Sequence, residues 1–258
     1  MDTFFKQMNE AYISKHYPKG SVFAAVQKNS QKNNAASYVF LVLLLVLSGA
    51  LSAFGIVRTL EFQQSGESDM VSAGIFIIAV GLVLCALSIV LMVVVKKRSH
   101  GNVQEWIKES AKNSQLSEDE IHQFESQALA ADSCILNLAG KVNAALSGAR
   151  DGILTKDYIY LADGNNTVIR RSHIMCALLE DCVIYTTVNK KRTPMHYLNI
   201  LIVSDKGVRA SAETTKEAGR ALQALLLEQN SNIDIRDGSV LTEKGCEEYI
   251  KERLDGRV

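Results

Sequence analysis

The chain has 258 residues, 47% of them hydrophobic, and its 28 Lys and Arg balance 28 Asp and Glu. The neutral sum conceals an asymmetry, because residues 1–100 hold 9 cations against 5 anions and residues 101–258 hold 19 against 23. A C-terminal part with a net balance of −4 lacks the phosphate-neutralising excess of a non-specific nucleic-acid binder, so no nucleic-acid partner is expected.

The five cysteines, Cys85, Cys134, Cys176, Cys182 and Cys246, form no CxxC, and no His or Cys lies at zinc-ligand spacing. They read as free, structural thiols of a reducing compartment, and no metal or cofactor is expected.

Residues 1–36 are polar. Within 2–15, Phe4, Phe5, Met8, Ala11 and Tyr12 recur at i, i+3 and i+4, which predicts an amphipathic helix capped at Asp2 or Thr3 and ended by Pro18–Gly20. Such a helix either lies on the membrane surface or docks on the soluble domain. The Lys, Asn, Gln and Ser of 28–34 read as a linker.

Residues 37–57 and 70–95 contain no charged side chain. Each run exceeds or matches the roughly 20 helical residues that span a bilayer core. Backbone groups in lipid must bond internally, so both are predicted to be transmembrane helices. The first run starts too far from Met1, is too long, and is followed by a second, which is unlike a signal peptide. The connection 58–69 is short, so the helices form an antiparallel hairpin. That loop carries Glu61, Glu67 and Asp69 against Arg58, whereas Lys28, Lys32, Lys96, Lys97 and Arg98 flank the outer ends. The positive-inside rule then places both termini in the cytoplasm of a multi-pass cell-membrane protein. Small residues, among them Gly49, Ala53, Gly81 and Cys85, either pack the hairpin on itself or mediate oligomerisation. Neither helix holds an ionisable group, which excludes the relay of a pump or transporter.

Residues 101–150 read as a helical connector. Val103, Trp106, Ile107 and Ala111 share a helical face over 102–113, and Ser117 with Glu120 forms a capping box opening a second helix to about 129. Residues 132–146 fit a third helix or a short strand with a loop, and the helix fits slightly better. From 151 the pattern changes to short runs rich in Ile, Val, Tyr and Thr. They predict strands over 152–154, 158–161, 167–170, 174–179, 183–188, 197–203 and 208–212. Turn residues separate them at 163–166, 189–194 and 205–207. An amphipathic helix over 214–229, a strand-like 233–235 and a last helix over 242–254 complete the pattern.

Strands that meander and then meet an amphipathic helix resemble the pleckstrin-homology-like superfold. Three stretches carry a narrower resemblance: GILTKDYIYL at 152–161, VIRRSHI at 168–174, and LNILIVSDKG at 198–207 with its following helix. They are similar to an uncharacterised family of Firmicutes two-helix membrane proteins with a PH-like cytoplasmic domain. The departure is MCALLED after Ile174, where an aromatic residue would be expected. The resemblance implies an α+β protein: a two-helix transmembrane hairpin, then short helices, then a curved antiparallel sheet over 151–235 capped by an amphipathic helix, with residues 236–258 as a C-terminal helix. It implies no chemistry, and fold alone confers none.

No catalytic motif is present, and the five histidines are scattered, so no enzyme is expected. The functional signal is charge placement. Residues 165–211 hold Arg170, Arg171, Lys190, Lys191, Arg192, Lys206 and Arg209 against three acids, while residues 101–164 hold 5 cations against 10 anions. These basic residues are the candidate membrane or partner contacts. Beside an anionic leaflet each nearby cation contributes about 1 kcal/mol; the alternative is that they are ordinary solvated turn residues. The expected function is a membrane-anchored, non-enzymatic interaction module that binds a protein partner, a second copy of itself or the inner-leaflet surface. The alternative is a membrane-bound sensor or regulatory subunit that binds a small ligand.

Overall fold

The computed structural model describes residues 4–66, 68–99, 102–138, 151–188 and 191–256. They divide into two compact units, one being Phe23–Gln104 and the other assembled from the segments that precede and follow it.

The chain opens with strand β1 (Phe5–Gln7) and helix α1 (Glu10–His16), where the apolar spacing predicts one helix over 2–15. Two causes divide them. Asn9 is extended, and its side chain accepts the Tyr12 amide at 2.9 Å, so α1 is capped there. Ahead of it the backbone finds a sheet edge, and a ladder of strand bonds outcompetes an isolated short helix. The expected caps Asp2 and Thr3 lie outside the described residues.

Helices α2 (Val22–Ser65) and α3 (Ser68–Ser99) follow. Residues 28–34, expected as a linker, are helical: α2 runs through them, because neither Gly nor Pro interrupts the chain between Val22 and Phe40. Ser37–Ser65 and Met70–Val95 are long and apolar enough to cross a membrane. Large apolar side chains such as Val39, Phe40, Phe76 and Val93 point outward, which suits lipid and not water. The two helices touch at small residues. Ser48 Oγ lies 3.1 Å from Cys85 Sγ, and a Cβ on Gly55 would stand 2.9 Å from Ile78. A Cβ on Gly81 would overlap Ser52, and one on Gly74 would overlap Thr59. The pairs 48/85, 52/81, 55/78 and 59/74 climb one helix as they descend the other. Gly49, by contrast, faces open space. Ser52 and Thr59 bond the carbonyls four residues back at 3.1 and 2.7 Å, so their hydroxyls are satisfied within the helix.

In the second unit α4 (Val103–Ser114) and α5 (Glu118–Ala128) match the predicted connector, with the Ser117–Glu120 capping box in place. The region 132–146 is corrected where it is described: Cys134–Leu136 is strand β2, held between one neighbour on each side, and 139–150 lies outside the described residues. Strands β3 (Gly152–Leu154), β4 (Tyr158–Tyr160) and β5 (Val168–Arg170) complete an antiparallel sheet in the order β1-β2-β3-β4-β5. The two predicted strands over 174–188 are a single β6 (Ile174–Val188), because Glu180 and Asp181 pair with Asn199 and Leu198 instead of turning. With β7 (Lys191–Ser204), β8 (Arg209–Thr214) and β9 (Val240–Thr242) it forms a second sheet, β8-β7-β6-β9, in which only β9 runs parallel to its neighbour. Neither sheet closes into a barrel. The sheets therefore draw strands from outside 151–235. The strand-like 233–235 is reduced to a bridge between Cys176 and Asp234.

One core joins both sheets to α6 (Lys216–Gln229), with Leu154, Ile159, Ile169, Leu179, Ile202 and Leu222 at its centre. The opposite faces are also covered. Phe124 of α5 packs on Tyr158 and Tyr160, and α7 (Glu243–Asp255) buries Cys246 and Ile250 against Met175, Leu178 and Val203.

From the α2–α3 contact, Ser48→Cys is expected to form a disulfide with native Cys85 under mild oxidation. Protease cleavage in the 58–69 connection followed by non-reducing electrophoresis reads it out: the fragments stay joined. Fragments that separate contradict the contact.

Candidate functional site

The six described basic candidates do not form one patch. Arg170 ends β5, where its guanidinium lies 3.4 Å from the Glu120 carboxylate and 5.9 Å from the centre of the Tyr158 ring. Arg171 is half-buried, and its Nη1 donates to the carbonyls of Thr155 and Lys156 at 2.6 and 2.9 Å. Burial pulls its pKa below the ordinary guanidinium value. Arg209 grips Glu247 of α7 with two bonds, and this contact holds the Glu247 carboxyl below its usual range. These three arginines fasten elements together. Lys206 sits exposed in the β7–β8 turn, where Gly207 has the positive φ of +79° that the turn requires. Lys191 and Arg192 lie at the far end of β7, about 40 Å along the strand from Ser204 at roughly 3.3 Å per residue. Lys190 lies outside the described residues.

Lys191 and Arg192 belong to an arm. The last residue of β6 paired to β9 is Asp181, and the last residue of β7 paired to β8 is Leu198. Beyond them Val183–Val188 and 191–196 pair, among the described strands, only with each other, a two-stranded ribbon about 20 Å long. Its base is pinned. His196 Nδ1 contacts the Asp181 carboxylate at 3.0 Å, and the Cys182 thiol donates to Glu180 while accepting from Asn199 Nδ2, both at 3.3 Å. Glu243 of α7 accepts the Val183 amide at 3.4 Å. Near its tip the Arg192 guanidinium stacks 4.1 Å over the ring of Tyr185, which is 58% exposed. The described arm beyond Asp181 contains no carboxylate.

A second candidate is a groove of about 600 Å³ beside α6, lined by Phe5, Gln7, Cys134, Leu154, Ala221 and Leu225. It adjoins a smaller cavity of about 330 Å³ near Arg170 and Ser172, and Lys156, Arg171 and Gln229 line both. Volumes in this range suit small ligands. Acids also line the groove, Asp132 and Glu228, so its charge is balanced.

Three buried thiols are not activated. Burial pushes Cys176, Cys182 and Cys246 up to about 12, and Glu180 beside Cys182 adds to the effect, so all three are neutral and weakly nucleophilic at physiological pH. Among the described residues no three of His, Cys, Asp and Glu come together as a metal-binding group would require.

Tyr185 and the arm escape the sequence reading because Glu180-Asp181 looks like an interruption. The usable signal is the absence of Gly and Pro from 174–188. Comparisons with protein-family models, curated proteins and solved structures returned no match.

Helix α7, which supports the arm's base through Glu243, is itself tied down by Asp234, whose carboxylate accepts from Tyr249 Oη and Arg253 Nη2. Burial raises the Asp234 pKa, but those bonds, the Arg236 amide and the Arg253 charge outweigh it and hold it below 3.8. A depressed carboxyl contributes stability that is full above its unfolded value and lost as pH falls through the folded one. Hydrogen-exchange protection of Glu243–Asp255 is therefore expected to hold from neutral pH to about 4 and to drop below it. Asp234→Asn shows the loss already at neutral pH. Unchanged protection in that variant contradicts the assignment.

Proposed function

We propose that this chain is a two-span membrane protein whose flanking segments join in a cytoplasmic, PH-like interaction module without enzymatic chemistry. The observation that carries this is β1, which precedes both apolar helices and pairs with β2, which follows them. Met8 N donates to Ser133 O at 2.9 Å, Asn137 N donates to Phe4 O at 2.8 Å, and Ser21 Oγ donates to Glu125 at 2.6 Å. Strands from both ends of a hairpin can pair only on one side of a bilayer, so the spans cross it an even number of times. The basic flanks at Lys28 and 96–98, against the acidic 58–69 connection, favour the cytoplasmic side. Two mainly antiparallel layers closed by an amphipathic helix support the PH-like reading. The exposed arm supports contact with a partner, a second copy or the inner leaflet. The groove beside α6 favours a second reading, a membrane-bound sensor of a small ligand.

Topology is tested by impermeant maleimide on intact cells: Gln63→Cys labels from outside, and Thr193→Cys labels only after permeabilisation. Labelling of Thr193→Cys in intact cells contradicts the proposed orientation. A photo-crosslinking residue placed at Tyr185 or at Ala224 then separates the two readings. The interaction module yields adducts from Tyr185, whereas the sensor yields them from Ala224 in the groove.

A further inference from the structure

We infer that the β6–β7 arm is an anionic-membrane contact, with its Tyr185–Arg192 stack and Lys191 seated among the headgroups of the leaflet. This rests on the reading of a domain tethered beside that leaflet. Charge is the first ground. In a chain of zero net charge, the described arm beyond Asp181 presents Lys191 and Arg192, both exposed, with no carboxylate to offset them. Cations beside an anionic surface gain from its potential within about a Debye length.

The second ground is the kind of apolar surface the arm carries. Tyr185 is exposed, and Val183, Ile184 and Met195 are only partly covered on a ribbon that no third described strand joins. An aromatic ring with a polar tip, stacked under a guanidinium, suits the zone where hydrocarbon meets headgroup. A free two-stranded ribbon is marginal in water, so it gains stability from a surface.

The third ground separates lipid from a second copy joining edge to edge. Pro194 pairs with Tyr185 and has no N–H, so the ladder's open side lacks a donor there. Exposed Lys191 lies on the same strand, and both features disfavour strand addition at the β7 edge.

The fourth ground is reach. Only residues 96–102 separate the second apolar run from α4, which tethers the folded unit near the bilayer.

Full-length protein in nanodiscs of phosphatidylcholine alone, or with phosphatidylglycerol added, gives the test by hydrogen exchange of peptides covering 183–196. Anionic lipid is expected to slow exchange of the arm roughly 30-fold, equivalent to about 1 kcal/mol for each of the two cations. High salt and Lys191→Glu/Arg192→Glu both abolish the difference, while α6 protection reports that the fold is intact. If the double variant loses α6 protection, Lys191→Gln/Arg192→Gln takes its place. Equal exchange in both lipids overturns the proposal. Protection that ignores lipid charge but rises with copies per disc also overturns it, in favour of a second copy. Nanodiscs expose both faces, so this outcome is independent of the topology result, and the two failures are distinguishable.

Discussion

The backbone ladder between Phe5–Gln7 and Cys134–Leu136 is the constraint on which the architecture depends. It joins residues that precede two apolar helices to residues that follow them, so the folded unit is closed around an insertion. An edge strand of three residues holds little energy by itself. Here it is backed by Met8, which is almost fully buried, and by the hydroxyl of Tyr12 bonded to Asp151. Burial first, then that bond, raises the Tyr12 pKa, so the phenol stays a donor throughout the physiological range. Because the contact is long-range in sequence, the unit completes its sheet only after both helices have been made.

The sheets leave little of themselves uncovered. α5 and α7 bury the two outer faces, and α6 closes the shared core, so the ordinary sites for sheet-face recognition are filled by the chain's own helices. Charged side chains follow the same logic. Arg170, Arg171 and Arg209 fix Glu120, the Thr155–Lys156 carbonyls and Glu247, and in doing so cease to be free contact groups. Two described features stay open: the arm, pinned at Asp181–His196 and Cys182–Asn199, and the groove against Phe5 and α6.

Much of this is legible from residue pattern, and the failures have identifiable causes. Long charge-free runs have one common outcome, so the apolar helices are plain. The Ser117–Glu120 box, the Asp205–Gly207 turn and the strand pattern of 152–170 are local signals, and local signals survive. The misreadings concern partners distant in sequence. Phe4, Phe5 and Met8 have helical spacing, yet a sheet edge supplied by Cys134–Leu136 decides their conformation. Cys134–Leu136 in turn looks ambiguous because both its neighbours, Phe5–Gln7 and Gly152–Leu154, lie far along the chain. At the candidate site, seven cations in one stretch of sequence suggest one patch, but the length of β7 separates Lys191 and Arg192 from Lys206. Among the described cations Lys191 and Arg192 share the arm with Tyr185, which lies there because β6 continues past Glu180.

A closed, doubly covered domain with one protruding basic arm has the form of a tethered contact element, and that reading stands or falls with the closure. Gln7 lies directly opposite native Cys134 in the β1–β2 register, at a separation a disulfide can bridge. Gln7→Cys in the full-length protein, oxidised mildly in membranes, is the direct test. The account predicts an intramolecular disulfide between the introduced thiol and Cys134 within each chain, formed without dilution dependence. Absence of that bond, or cross-links only between chains, would contradict it.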